Sequence, residues 1–282
     1  MFENCNNRAD YLKKVIEYEN ILAPSEFIKL HTECSAGLPE IAESQLLKST
    51  NMMNSANAEI RNFIRHTLST NVIFYSSPTT PSNEKKLLIC FCGIGNRLLV
   101  PIPVFLQCIP DQSFDVLVYR DPSQTSFLNG IPDFSNSLQD LVADTLPHVN
   151  FATYKSLVTI GTSGGGSAAL YFGILANAEK AISVCGKHRS LSVGNQMKNE
   201  LLDFDGYEFD RMVSHLIETS RTELILVCGE KYPNDIEGAQ SLKRNLPNSK
   251  ILKIKKFAAH NAFLFFLHRG KLKEFVQMLI KD

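Results

Sequence analysis

The residues best suited to do chemistry centre on Gly161-Thr162-Ser163-Gly164-Gly165. The pentapeptide fits G-x-S-x-G, follows the apolar run SLVTIG and opens the small-residue-rich stretch GGGSAALYFGILAN. A buried strand, a tight turn and a helix form the setting in which a serine hydroxyl is pushed out of a sheet edge as a nucleophile. The turn is expected to force Ser163 into a strained backbone conformation. Only glycine at 161 and 165 leaves room for strand and helix to cross. The helix N-terminus adds N–H groups and a positive dipole end for a developing oxyanion. The plainer alternatives are a Gly-rich turn with a structural serine, or a phosphate-binding loop. A Walker-type loop does not fit, because no Gly-Lys-Ser/Thr follows.

A serine of this kind needs a base, and the chain has seven histidines, at 31, 66, 148, 188, 215, 260 and 268. The base must come from a loop at the C-terminal edge of the strands. His260 follows the run KILKIKK by a few residues and precedes a helical stretch, so it is the first candidate. His188 is the second. His268 is expected inside the next helix, as a packing or helix-face residue. A carboxylate would fix the imidazole tautomer and stabilise the imidazolium. Glu230 and Asp235 both follow ELILVCG, and Asp235 could instead be a plain helix N-cap.

An oxyanion hole needs two backbone donors. The amide of Gly164, next to the serine, is one candidate. The loop after KLLICFCG supplies the other, Ile94 first and Gly95 second. Arg97 follows that loop, and Arg120 and Asp121 end the next apolar run just before a proline. Either arginine could bind a phosphate or carboxylate on a substrate, and Arg120 with Asp121 could equally be a structural pair. Residues 123–134 could line an entrance. No HExxH and no His/Cys/Asp cluster at ligand spacing occurs, so no metal is expected. A dinucleotide fingerprint is absent as well.

These residues have to be positioned by an alternation of strands and helices. Strands are expected over 71–77, 86–93, 114–121, 156–161, 181–186, 223–229 and 250–256. Helices are expected over 135–147, with Leu138, Leu141, Val142 and Leu146 on one face, and over 164–177, 235–246 and 262–280. This order predicts an α/β fold: a mostly parallel central sheet with helices on both faces. Right-handed crossovers then gather the strand C-terminal loops at one edge. The polar stretch 187–220 interrupts the alternation and could cap that edge. Residues 1–70 read as a helical N-terminal extension packed on the 71–282 domain, or as a partner surface. Leu12, Val15, Ile16, Tyr18 and Leu22 recur at helical spacing, Pro24 and Pro39 mark helix starts, and Ile60, Phe63, Ile64 and Leu68 suggest a further helix.

Composition narrows the function classes. The 282 residues are 44% hydrophobic and 21% charged, which is ordinary globular usage. Lysine plus arginine and aspartate plus glutamate number 29 each. A neutral chain without a basic block argues against nucleic acid or a membrane surface as partner. The seven scattered cysteines, with Cys90 and Cys92 on one strand face, read as reduced core thiols of a cytoplasmic protein. The start has no apolar signal region, and the late apolar run Ala262–Leu267 is too short to span a bilayer.

From residue 71 onward the chain resembles the α/β-hydrolase fold superfamily. Four segments carry the resemblance: GTSGGGSAALYFG at the turn, FCGIGNR at 91–97, ELILVCGE with KYPND, and FAAHNAF after the last strand. They look like that fold's elbow, oxyanion loop, acid loop and histidine loop, in its Ser–Asp–His order. More narrowly, the elbow is similar to the GTSxGGxAAL type of bacterial serine esterase-like and O-acyltransferase proteins of polysaccharide and capsule gene clusters. Those proteins carry the acid in a G-x-x-x-P-x-D spacing, which Gly229, Pro233 and Asp235 match. The resemblance implies a Ser163–His260–Asp235 triad in an esterase or thioesterase with no bound cofactor. It implies, as an alternative, an O-acetyltransferase that moves acetyl from acetyl-CoA to a polysaccharide hydroxyl. Arg97, Lys187 or Arg189 would then meet the CoA phosphates. The partners implied are a small-molecule ester, an acyl donor or a glycan. A non-catalytic interaction protein on the same scaffold is the reading from a different class.

Overall fold

Six apolar runs of five to seven residues form the middle of the molecule: β3 (Lys86–Phe91), β4 (Phe114–Tyr119), β5 (Leu157–Thr162), β6 (Lys180–Val184), β7 (Glu223–Gly229) and β8 (Lys250–Ile254). They pair in parallel in the order β4-β3-β5-β6-β7-β8. Two antiparallel strands, β1 (Ile64–Ser69) and β2 (Val72–Ser76), extend the sheet beyond β4. The computed structural model describes residue 2, residues 5–188, residue 213 and residues 216–281.

The strands β3 to β7 read as continuous apolar runs because both faces are covered, whereas β8, at the sheet edge, alternates with lysines and is largely exposed. Alternate residues of β3 go to opposite cores. Leu88, Cys90 and, just beyond the strand, Cys92 pack with Val15, Phe27, Leu46 and Met53 of the N-terminal helices α1 (Arg8–Glu19), α2 (Pro24–Cys34) and α3 (Glu40–Ala56). The short helices α4 (Ile102–Gln107), α8 (Ala262–Leu267) and α9 (Leu272–Ile280) complete that layer. Leu87, Ile89 and Phe91 pack on the other side. They meet α5 (Leu141–Thr145), α6 (Gly166–Leu175) and α7 (Pro233–Asn245). All seven cysteines are free. Among the described residues, no helix is long and apolar enough to cross a membrane.

Three elements differ from expectation. The stretch with Phe63, Ile64 and Leu68 is strand β1 rather than helix, and the N-terminal helices end at Ala56. A tight turn at Thr70 and Asn71 folds it back on β2, pairing Ile64 with Ser76 and Ser69 with Val72. Sheet pairing overrides the 3–4 spacing of its apolar residues. In 135–147 only Leu141–Thr145 is helical, and Leu146 is exposed. The bridge between Ile131 and Ser135 holds the preceding chain in a turn. Gly270, at φ 63°, splits 262–280 into two helices. His268 is therefore the exposed C-cap of α8, not a residue packed within a helix.

At the end of the sheet away from the strand C-termini, Lys85 Nζ lies 2.5 Å from Asp115 Oδ1, with both side chains 1% exposed. Lys85 also donates to the Ser77 carbonyl. The Ser77 amide and the Tyr154 hydroxyl donate to the Asp115 carboxylate. A buried pair with these extra hydrogen bonds tolerates loss of a partner poorly, because the remaining charge is stranded. Asp115→Ala is expected to lower the unfolding free energy by about 3–5 kcal/mol, read from urea denaturation. A wild-type midpoint would contradict this account.

Candidate active site

The site is built where β5 turns into α6. Ser163 sits between them at φ 50°, a left-handed conformation that L side chains adopt only when their surroundings hold them there. The chain crosses itself so closely that side chains are excluded at the crossing. A β-carbon on Gly161 would lie 2.0 Å from the Gly165 carbonyl oxygen, and one on Gly165 would lie 2.4 Å from that of Phe91. The close approach of the backbone at both positions agrees with the expectation that 161 and 165 must be glycine.

The loop between β8 and α8 brings His260 to the serine. His260 Nε2 is 2.9 Å from Ser163 Oγ, and Nδ1 is 2.7 Å from Asp235 Oδ1. An ionised carboxylate can only accept, so Nδ1 carries the proton and Nε2 offers its lone pair to the hydroxyl. Asn261 steadies the loop: its side chain accepts from the Leu264 amide, capping α8, and donates to the Leu99 carbonyl. Asp235 is 4% exposed and stands in the first turn of α7. Tyr232 is the N-cap of that helix, so Asp235 does not play the plain capping role. Glu230 is exposed and accepts from the Lys256 amide, outside the cavity. His188 is buried and does not line the cavity.

A cavity of about 250 Å³ opens over Ser163. Gly164 and Ile94 both line it, and the Ile94 side chain is 71% exposed. Gly93 rests on the elbow, where a β-carbon would lie 2.8 Å from the Thr162 carbonyl. The loop is closed by the Gly93 amide on the Arg97 carbonyl at 3.0 Å. Gly95 has φ 89°, and its carbonyl accepts from Asn20 of the segment after α1. Gln124, Ser126 and Phe127 of the expected entrance loop line one wall, and all three have positive φ. Asp121 holds that loop by accepting from the Phe127 amide at 2.9 Å.

Neither arginine singled out as a substrate contact lines the cavity. Arg97 pairs with the fully buried Glu19 at 3.3 Å, and Arg120 is buried with its guanidinium donating to the Thr70 carbonyl. Arg120 has the parity of Val116 and Val118, which face the N-terminal helices, so its side chain leaves the sheet on the far side from the cavity. Asp121 has the opposite parity and does not pair with it; its partners are Ser123 and Phe127. Lys187 does line the cavity. Arg189, His215 and most of the 187–220 stretch lie outside the described residues. Cys185, Tyr232 and Asn234 complete the lining and were not singled out from the sequence. Cys185 was read only as a core thiol; no local spacing ties it to residues 50 and 75 positions away.

No family model and no curated protein matches the sequence significantly. Among solved structures, esterase Est22 is similar over 92% of this chain and 89% of its own, at 11% identity and a TM-score of 0.50. The chain has the α/β-hydrolase fold. The capsule O-acetyltransferase of Neisseria meningitidis serogroup A, solved in complex with CoA, covers 78% of this chain and 95% of its own, at 15% identity and a TM-score of 0.49. A carboxylesterase study of Nitrososphaera gargenis provides a structure covering 77% and 96%, at 14% identity and 0.48.

Within this α/β-hydrolase fold the crossing at Gly161 is the tightest backbone contact of the elbow. Gly161→Ala is expected to destabilise the protein by about 1–3 kcal/mol or more, since neither backbone segment can yield as a side chain would. Thermal unfolding checks this, and an unchanged midpoint would contradict the crossing.

Proposed function

We propose that the protein is a serine acyl-transfer enzyme acting as an esterase or thioesterase. The observation that carries the reading is the pair of hydrogen bonds in series, Ser163 to His260 at 2.9 Å and His260 to Asp235 at 2.7 Å, at the floor of one cavity. Ser163 Oγ attacks the ester carbonyl while Nε2 of His260 takes its proton. Asp235 holds the ring in the tautomer that makes this possible and stabilises the imidazolium. The amides of Gly164 and Ile94 receive the oxyanion. The intermediate collapses, and the imidazolium protonates the departing alkoxide or thiolate. A water, deprotonated by Nε2, then releases the acid and regenerates the serine.

A second acceptor is chemically equivalent. A sugar hydroxyl in place of water makes the same acyl-enzyme an O-acetyltransferase, with acetyl-CoA as donor. Lys187, Gln124 and Asn234 on the cavity wall favour a polar partner, and Lys187 is the cation there that suits a phosphate. A bacterial polysaccharide is the acceptor this second reading takes. A cytoplasmic location is supported by the seven free cysteines.

A fluorophosphonate probe is expected to label the wild-type protein and to leave Ser163→Ala unlabelled. Labelling that survives the substitution would place the nucleophile elsewhere. No labelling of the wild type would favour a binding role for the scaffold. Asp235→Asn is expected to lower kcat on p-nitrophenyl acetate by roughly 10³–10⁴-fold through the wrong tautomer, while Glu230→Gln stays near wild type. Equal losses in the two variants would overturn the assignment of the acid. Adding an oligosaccharide acceptor and weighing it by mass spectrometry separates transfer from hydrolysis.

A further inference from the structure

Two members of the serine's relay belong to a second grouping, whose third member hydrolysis does not use. Cys185 Sγ, a carboxylate oxygen of Asp235 and a ring nitrogen of His260 lie within 4.8 Å of one another. Cys185 follows β6 in a left-handed conformation, φ 52°, with its amide tied to the Val227 carbonyl at 2.8 Å. It is 2% exposed yet lines the same cavity as the other two. Asp235 gives Oδ1 to His260, while its Oδ2 is buried with no hydrogen-bond partner among the described residues. The protic group that faces this carboxylate is the Cys185 thiol, so the sulfur, the carboxylate and the imidazole already converge.

We propose that Cys185, Asp235 and His260 form an inhibitory site for a divalent cation of the zinc type. The proposal rests on the acyl-transfer reading for its inhibitory consequence, and on the donor set alone for its binding. Sulfur, imidazole nitrogen and a single carboxylate suit zinc, whereas calcium and magnesium call for more oxygen ligands. Three protein ligands leave a fourth position for water from the cavity. Tetrahedral zinc with its usual bond lengths holds ligand atoms roughly 3.2–3.7 Å apart, so the widest separation closes by about 1 Å while the 2.7 Å contact between His260 Nδ1 and Asp235 Oδ1 gives way.

The proton inventory explains why binding would switch off the serine. Cys185 is a buried thiol beside a carboxylate. Zinc binds it as thiolate, and that proton leaves to solvent. The nitrogen of His260 on the Asp235 side is Nδ1. When it ligates zinc its proton must move to Nε2. Nε2 then points an N–H at Ser163 Oγ and has no lone pair left to accept the hydroxyl proton. One proton is released per ion bound, so affinity rises with pH.

Cobalt(II) is the optical probe for zinc. Titrated into the full-length protein, it is expected to produce a near-ultraviolet thiolate-to-metal charge-transfer band that saturates at one ion per chain and is bleached by zinc. Ser163→Ala keeps the band, because Ser163 supplies no ligand. Cys185→Ala loses it. His260→Ala, on a half-exposed loop, weakens binding by about tenfold or more and serves as the second variant if Cys185→Ala fails to fold. In the activity arm, zinc inhibits p-nitrophenyl acetate turnover reversibly to EDTA. The inhibition constant for Cys185→Ala, referred to that variant's own metal-free rate, rises at least about tenfold. A wild-type protein with no charge-transfer band, or a Cys185→Ala variant with unchanged zinc sensitivity, overturns the site. A band in a wild-type protein that turns over no ester leaves the metal site standing and removes the hydrolase reading instead.

Discussion

Where β5 gives way to α6, the backbone passes over itself with only hydrogen atoms between Gly161, Gly165 and the end of β3. That closeness forces Ser163 into positive φ and aims its hydroxyl away from the sheet. A non-glycine residue in such a region costs on the order of 1–3 kcal/mol. The cost is borne because β5 is buried along its whole length and α6 is buried on nearly every side. A looser crossing would relax the serine into an ordinary turn, and the 2.9 Å contact with His260 would be lost. The geometry of the site is thus a consequence of packing density around two glycines.

The other partners reach the serine from separate elements, each fixed in its own way. Asp235 is placed by the first turn of α7, with Pro233 setting the start of that helix. His260 is placed by a loop that Asn261 ties both to α8 and to the Leu99 carbonyl. The loop carrying Ile94 is braced from behind by α1. Glu19, fully buried, holds Arg97 and also accepts from Gln45 and Ser49 of α3. The N-terminal helices therefore act on the cavity wall without touching the cavity. Deleting them would expose Glu19 and free the loop that carries the candidate oxyanion donor.

The parallel sheet, the elbow and the approach of His260 to Ser163 were readable from local sequence, because each depends on residues adjacent in the chain. Continuous apolar runs report burial on both faces, and G-x-S-x-G reports a crossing that admits no β-carbon. The misreadings came where local spacing competes with distant pairing. Phe63, Ile64 and Leu68 have helical spacing, yet the segment from Ile64 to Ser69 pairs with β2 across a two-residue turn. Arg120 was taken as a substrate contact for its position at a strand end. Its parity with Val118 already placed it on the other face, so the alternation rule held the answer. Arg97 carried no such signal. Its partner Glu19 is 78 residues away, and only the folded packing of α1 against the loop reveals the pair.

Cys185 sharpens the same point about nucleophiles. Sulfur is intrinsically the better nucleophile, and this thiol shares a cavity with an imidazole and a serine. In the proposed mechanism, what separates their roles is the carboxylate. Asp235 faces both His260 and Cys185, and its charge works in opposite senses on the two. It stabilises the positive charge that His260 acquires when it takes a proton, which favours a base. It opposes the negative charge that Cys185 would need to react, which keeps the thiol protonated. A neutral hydroxyl suffers no such penalty, because Ser163 transfers its proton only as it attacks. On the proposed mechanism, one buried carboxylate would therefore favour oxygen over sulfur at this site.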